Sequence, residues 1–243
     1  MCHRNLFLIF LVILALLFFS HHKPLKAINE PAVAEQELPF TSGEKIVYAV
    51  KMGPIKMGTA TLYFLGKTRL GNKEVETIIF ETTGFNFLDV EKIYAETKTF
   101  YPLRVERTLN LWGKKMDIVE DYDTKDNSWR LIKREGEKIT QEVFKENSRV
   151  QNIIAVVYFY RQMGNLESGK SLDFNFSKVK VKMQITKIVD FLSGDKIHQA
   201  YLLESIPRKY RVWLDTGEKR IPLRIDGSLL GFGNMAMIMR EFN

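Results

Sequence analysis

The sequence predicts a mainly β protein: a single antiparallel, strongly curved sheet, either an open barrel or a two-layer arrangement, with one α-helix near residues 149–163 packed on it. Three observations lead there. From about Thr41 onward, apolar and polar side chains alternate over most of the chain, the period of half-buried strands. The alternating runs are separated by short turns rich in Asx and Gly, and short connections join antiparallel neighbours. Only the stretch 149–163 changes to helical spacing.

The chain opens differently. Leu6 to Phe19 are an unbroken apolar run of fourteen residues, with Arg4 ahead of it and His21-His22-Lys23 behind. A bilayer-spanning helix needs about 18–20 apolar residues, so this run suits the centre of a secretory signal. Residues 1–27 are read as a signal peptide ending at Ala27, although Leu25 is larger than the small residue such sites prefer. An uncleaved anchor formed by residues 6–19 is the alternative. The protein is expected in the periplasm or cell envelope, or held on the inner membrane if the anchor stays. Cys2, the only cysteine, precedes the run and cannot be the acylated cysteine of a mature lipoprotein.

Loss of residues 1–27 removes Arg4, Lys23 and Lys26 but no acid, so the formal charge falls from +7 to +4, thirty-three Lys and Arg against twenty-nine acids. That excess solubilises a domain and is no nucleic-acid footprint. No cysteine remains for a disulfide, so packing must supply the stability. Residues 28–40 (INEPAVAEQELPF) carry prolines and acids without a period and read as a linker. Residues 41–243 read as one β-rich domain, a usual size for a large sandwich or barrel.

Ile46, Tyr48, Val50 and Met52 fall on one face of the first strand, Lys45 and Lys51 on the other, and Gly53-Pro54 ends it. The returning strand covers 59–65. Further strands are expected over 74–83, 92–100, 105–111, 116–122, 129–134 and 139–144, with Asp126-Asn127-Ser128 and Glu135-Gly136-Glu137 as turns. Val150, Ile153, Ile154, Val157, Tyr158 and Arg161 then follow helical spacing, with Asn147 or Ser148 to cap the start and Gly164 to end it. Their single apolar stripe predicts a helix lying against the sheet. Strands resume over 172–176, 179–188, 197–205, 210–214, 221–225 and 235–242. Gly43, Gly58, Gly231 and Gly233, beside strands, suit bulges or bends of a curved sheet.

With these elements placed, the chain resembles the bacterial domain-of-unknown-function 3108 family. The matching stretches are Gly43-Glu44-Lys45-Ile46-Val47-Tyr48, Gly58-Thr59-Ala60 and Tyr101-Pro102-Leu103-Arg104. They continue with Val150-Gln151, Tyr158-Phe159-Tyr160-Arg161, Val212-Trp213-Leu214 and Arg220-Ile221-Pro222-Leu223-Arg224. Their order and spacing carry the resemblance. Where that family shows Asp-Pro after the helix-opening Gln, this chain has Asn152-Ile153. The resemblance implies an exported or envelope-associated β protein without established catalytic residues. Its strand pattern is similar to the open sheets of lipoprotein carriers, in which a half-barrel and helical lid shelter acyl chains.

No catalytic constellation emerges from the residues. After export His198 is the sole histidine, Asp195 lies three residues away, and no Gly-x-Ser-x-Gly elbow is present. Glu81, Glu96, Glu106 and Glu120 sit on neighbouring strands, but acids in such positions usually face outward and nothing selects a pair. One histidine without cysteines or a dense acid cluster offers no metal-ligand set, and no cofactor is expected. Three features are candidate ligand contacts. Lys178, Lys180 and Lys182 line one face of a strand and could meet acidic head groups, although solvated lysines of this kind also guard sheet edges. Met235, Met237 and Met239 share a face of the last strand, as pocket lining or as filling of an irregular core. Phe85 and Phe87 lie where the alternation fails, as a mouth loop or simply buried under the sheet. The leading function is a non-catalytic envelope protein sheltering an apolar or acylated ligand in the concave sheet, with a lipid or lipoprotein as partner. A structural or interaction module docking on another envelope protein, and a hydrolase of envelope polymers, stand beside it.

Overall fold

A computed structural model describes residues 38–177, 179–193, 195–228 and 234–243. They form fourteen strands and one helix: β1 (Glu44–Met52), β2 (Ile55–Leu70), β3 (Lys73–Gly84), β4 (Phe87–Ala95), β5 (Pro102–Leu111), β6 (Lys114–Asp123), β7 (Ser128–Glu135), β8 (Lys138–Lys145), α1 (Ile153–Gln162), β9 (Ser171–Phe176), β10 (Val179–Ser193), β11 (Lys196–Ile206), β12 (Arg211–Asp215), β13 (Pro222–Ser228) and β14 (Asn234–Phe242). All strands belong to one sheet in the order β8-β7-β6-β5-β4-β3-β2-β1-β14-β13-β12-β11-β10-β9. Successive strands pair antiparallel except β8 and β9, and β1 pairs with β14 in the middle. The two free edges are therefore β8 and β9, consecutive in the chain, and the helix lies on the connection between them.

The sheet is bent round that helix. Asn152, just before α1, bonds Glu91 on β4, and Tyr160 donates to the carbonyl of Met183 on β10. Those strands are eight places apart in the sheet, about 38 Å if it were flat at ~4.8 Å per strand. The two contacts lie only about 12 Å apart along the chain of the helix, so the sheet must curl until both walls meet one rod. Register shifts at Val50/Lys51, Phe64/Gly66 and Ile185/Lys187 supply local bends. Gly66 holds φ +75° at one of them. Gly58 faces Gly84 across β2 and β3, and a Cβ there would sit 2.0 Å from the Thr83 carbonyl oxygen. Gly231 and Gly233 lie outside the described residues.

The expected alternation is present on β1, where Ile46, Tyr48 and Val50 are buried while Met52 emerges at the end. The helix differs from expectation in two ways. It starts at Ile153 rather than near 149, because Asn152, not Asn147 or Ser148, is the cap: its Oδ1 accepts from the amides of Ile154 and Ala155 at 2.8 and 3.2 Å. Val150 and Gln151 are buried for another reason, since the Gln151 amide donates to the Asn175 carbonyl at 2.7 Å and ties the connection to β9. The end comes at Met163, whose extended backbone caps the helix before Gly164. Nor does α1 present one stripe to a flat sheet. Every residue from Ile154 to Gln162 is buried, as a rod enclosed by a curled sheet requires.

The C-terminal half of the helix is locked most firmly. Arg161, fully buried, donates to both oxygens of Glu44 at 2.5 and 2.8 Å and from Nη2 to the Lys219 carbonyl at 3.0 Å. Its guanidinium lies 4.7 Å from the Phe40 ring centroid. Phe40 also packs edge-on against Phe64 and Tyr158 at 4.7 and 5.0 Å. The packed core thus reaches into the segment read as a linker, where Leu38 and Phe40 already belong to it.

Candidate functional site

Where α1 packs on the inner walls of β10–β13 the concave face is filled. Among Ile154, Val157, Tyr160, Leu203 and their neighbours only about 10 Å³ remains, at most one water. An open apolar space lies at the end of the barrel facing the N-terminus of α1. Strand alternation brings the β1–β2, β3–β4 and β5–β6 hairpin tips to that end, because each is reached from an upward strand and left by a downward one.

These tips enclose an apolar cavity of about 350 Å³. Met57, Phe85, Phe87, Leu111, Trp112 and Met235 line it, and Thr82 with the Gly58–Gly84 pair closes its floor. The absence of side chains at that pair lets β2 and β3 pack backbone to backbone beneath the opening. Phe85 is 81 % exposed and Trp112 66 %, and their rings meet edge to face at 6.0 Å. The Trp112 amide donates to the Asn86 carbonyl at 2.9 Å, tying two tips together. Trp112 and Gly113 both have positive φ, +54° and +82°, in the two-residue connection between β5 and β6. Turn chemistry favours Asn or Asp before such a glycine, and burial does not explain a tryptophan there. Phe85 therefore follows the mouth reading and not burial under the sheet.

A second, polar cleft of about 340 Å³ lies on the same concave face, across the seam between the sheet's edges. Glu91 follows Phe87 by four residues on the inner side of β4, and Arg107 precedes Leu111 by four on β5. Each charged residue is thus about 13 Å from its apolar counterpart in the mouth. Arg107 is committed to Asp89, donating from Nε and Nη2 at 2.7 and 2.6 Å. That fork leaves Glu91 and Glu120 with little positive compensation. Glu91 accepts from Asn152 Nδ2 at 2.5 Å, and Glu120 accepts from the Tyr122 hydroxyl. Burial pushes the Glu91 carboxyl up to about 7, with Arg107 and Asn152 opposing and Asp89 and Glu120 adding to the rise. Burial likewise raises Glu120, against the pull of Tyr122 and Arg107, and raises the Tyr122 phenol. Trp129 stacks between Tyr122 and Phe144, at 6.0 and 4.3 Å. With both faces covered it offers only an edge to the cleft, and its buried indole N–H has no acceptor. Phe176 and Tyr210 form the opposite wall.

The sequence candidates divide. Phe85, Phe87 and Met235 meet in the apolar mouth. Met237 is core, 1 % exposed, and Met239 packs against the core beside it. Lys180 and Lys182 are exposed on the outer side of β10, whose inner side carries Val181 and Met183 in the core, so they do not reach the mouth. Lys178 lies outside the described residues. Glu120 faces inward, contrary to the outward expectation, because it shares a phase with Ile118 and Tyr122 on β6. His198 approaches Asp215 at 3.4 Å rather than Asp195. Among the described residues no group of three or more metal-ligating side chains is gathered. Missed entirely were Asp89, Glu91 and Arg107. The available signal was phase: Glu91 stands two residues before core Ile93, and Arg107 two after core Val105.

No protein-family model matches the chain, and no curated protein matches it. Among solved structures it is similar to a beta-barrel-like protein of domain of unknown function DUF1849 from Brucella abortus, with a TM-score of 0.48 and 8% identity, covering 83% of this chain and 97% of that one.

Proposed function

We propose that this chain is an exported, non-catalytic envelope protein, of the domain-of-unknown-function 3108 kind, that takes an apolar or acylated ligand at its barrel mouth. The observation that carries the reading is the mouth itself: an open cavity of about 350 Å³ rimmed by exposed Phe85 and Trp112. Its volume is at the lower end of small-molecule sites. Large aromatics left in water at hairpin tips that need neither of them are the usual mark of a contact surface. Each methylene entering such a site contributes about 0.8 kcal/mol, enough for a medium-length chain to bind without a covalent bond. The apolar leader at residues 6–19 supports placement outside the cytoplasm.

The test is binding of a fluorescent acyl probe to detergent-free protein. Saturable enhancement is expected, and Phe85→Ser with Trp112→Ser together should abolish it while leaving the thermal melt within a few degrees. An equally strong signal from that double variant would remove the mouth from the account. The edge strand β8 favours a second reading, an interaction module, because Ile139 and Val143 are 58 and 67 % exposed on a strand paired on one side only. Loss of a partner or self-association on Val143→Lys, with probe binding absent in wild type, would favour it.

A further inference from the structure

We infer that the ligand of the mouth is an amphiphile with a cationic amino head group, the ammonium seating between Glu91 and Glu120 while the chain lies against Phe87, Leu111 and Trp112. This deepens the acyl-ligand reading and depends on it. Three features converge on it. Phe87 and Glu91 on β4, and Leu111 and Arg107 on β5, set the mouth and the polar cleft about 13 Å apart on one face of the sheet, the distance between tail and head that a single amphiphile would have to span. The charges near the head position are unbalanced: among the described residues Arg107 is the one cation lining the cleft and donates from Nε and Nη2 to Asp89, while Glu91 and Glu120 take their hydrogen bonds from neutral groups, Asn152 and Tyr122, so three acids surround one guanidinium. A ligand cation supplies what the protein withholds. Independently, Trp129 lines this cleft, is 7 % exposed and has a buried indole N–H without an acceptor, which suits a head group bearing an oxygen near its nitrogen, as in an amino alcohol. Tyr122 and Tyr210 also line the cleft, and aromatic rings attract ammonium groups.

A phosphate or carboxylate head would meet the reverse situation. It would approach Glu91 and Glu120 beside the guanidinium of Arg107, which is already forked to Asp89, and Lys180 and Lys182 are on the outer side of the sheet. The raised Glu91 carboxyl adds a pH signature. Ammonium binding favours the ionised acid, so affinity for the amine should rise between pH 6 and pH 8.

Dodecylamine, dodecanol and dodecanoate, each below its micelle concentration, are competed against the fluorescent acyl probe. Dodecylamine is expected to bind at least tenfold tighter than dodecanoate at pH 8. The preference should fall to within twofold in Glu91→Gln with Glu120→Gln, where undiminished dodecanol binding certifies an intact mouth. Equal or tighter binding of dodecanoate, or a preference that survives in the double variant, overturns the cationic head group while leaving the mouth standing. Failure of all three to displace the probe overturns both.

Discussion

Glu44→Ala is the most informative single perturbation of the fold. Arg161 is fully buried and the Glu44 side chain is 3 % exposed, so the substitution leaves a guanidinium without its counterion in the interior. Two charge-assisted hydrogen bonds, 2.5 and 2.8 Å, vanish, and only the Lys219 carbonyl and the Phe40 and Tyr158 rings remain to it. Breaking one side of a buried pair costs about 3–5 kcal/mol. At roughly 2–4 °C per kcal/mol for a domain of this size, the melting temperature should drop by roughly 6–20 °C. Circular dichroism at 222 nm and in the aromatic region measures it, the second band reporting Tyr158 and the rings around it. Glu44→Leu with Arg161→Met should recover most of the loss, because an apolar pair of similar volume removes the stranded charge. A loss below about 1 kcal/mol for Glu44→Ala would show that this pair does not hold helix to sheet.

Three further outcomes follow from the structure. Asn152→Ala removes the helix cap and the donor to Glu91 together, and should lower stability in a urea titration by about 1–2 kcal/mol; an unchanged midpoint contradicts the cap assignment. Gly58→Ala forces a Cβ to within 2.0 Å of a backbone oxygen, so β2 and β3 must separate, at about 2–4 kcal/mol; wild-type stability would refute the close approach. The folded Glu91 carboxyl titrates at about 7, above its ordinary 4.5, so the folded state holds its proton longer than the unfolded state. Its contribution is intact below about pH 4.5 and declines as pH rises to 7, by at most about 3 kcal/mol. Glu91→Gln should flatten that part of the stability profile, and a variant with the wild-type slope would exclude Glu91 as its source.

Much of this architecture was legible from the chain. Alternation placed Ile46, Tyr48 and Val50 on one face, and period 3.6 singled out the region of α1, because both signals are local and depend on burial alone. The start of the helix was not legible, since Val150 is equally buried by pairing with β9 and by an extra helical turn. Phe40 was hidden by its polar surroundings in sequence, and only the closing of the aromatic cluster over Tyr158 shows why the core needs it. Glu44 and Arg161 stand 117 positions apart, so no local pattern could pair them. In the candidate site, Phe85 and Phe87 were visible as breaks in the alternation. Glu91, Arg107 and Glu120 were passed over because a charged residue on a strand is normally read as facing water. Their phase against Ile93, Val105 and Ile118 is the signal that contradicts that habit.

The central functional claim is that an apolar chain lies against the hairpin tips at one end of a barrel whose middle is filled by α1. Fluorescence quenching by a brominated dodecyl ligand tests it, using single-tryptophan variants that retain Trp112 or Trp213 alone, with the other tryptophans replaced by Phe and ligand binding by each variant verified by displacement of the fluorescent acyl probe. The account predicts strong, saturable quenching of Trp112 and none of Trp213, which lies on the outer side of β12. Equal quenching of the two, or none of Trp112 at saturating ligand, would contradict it.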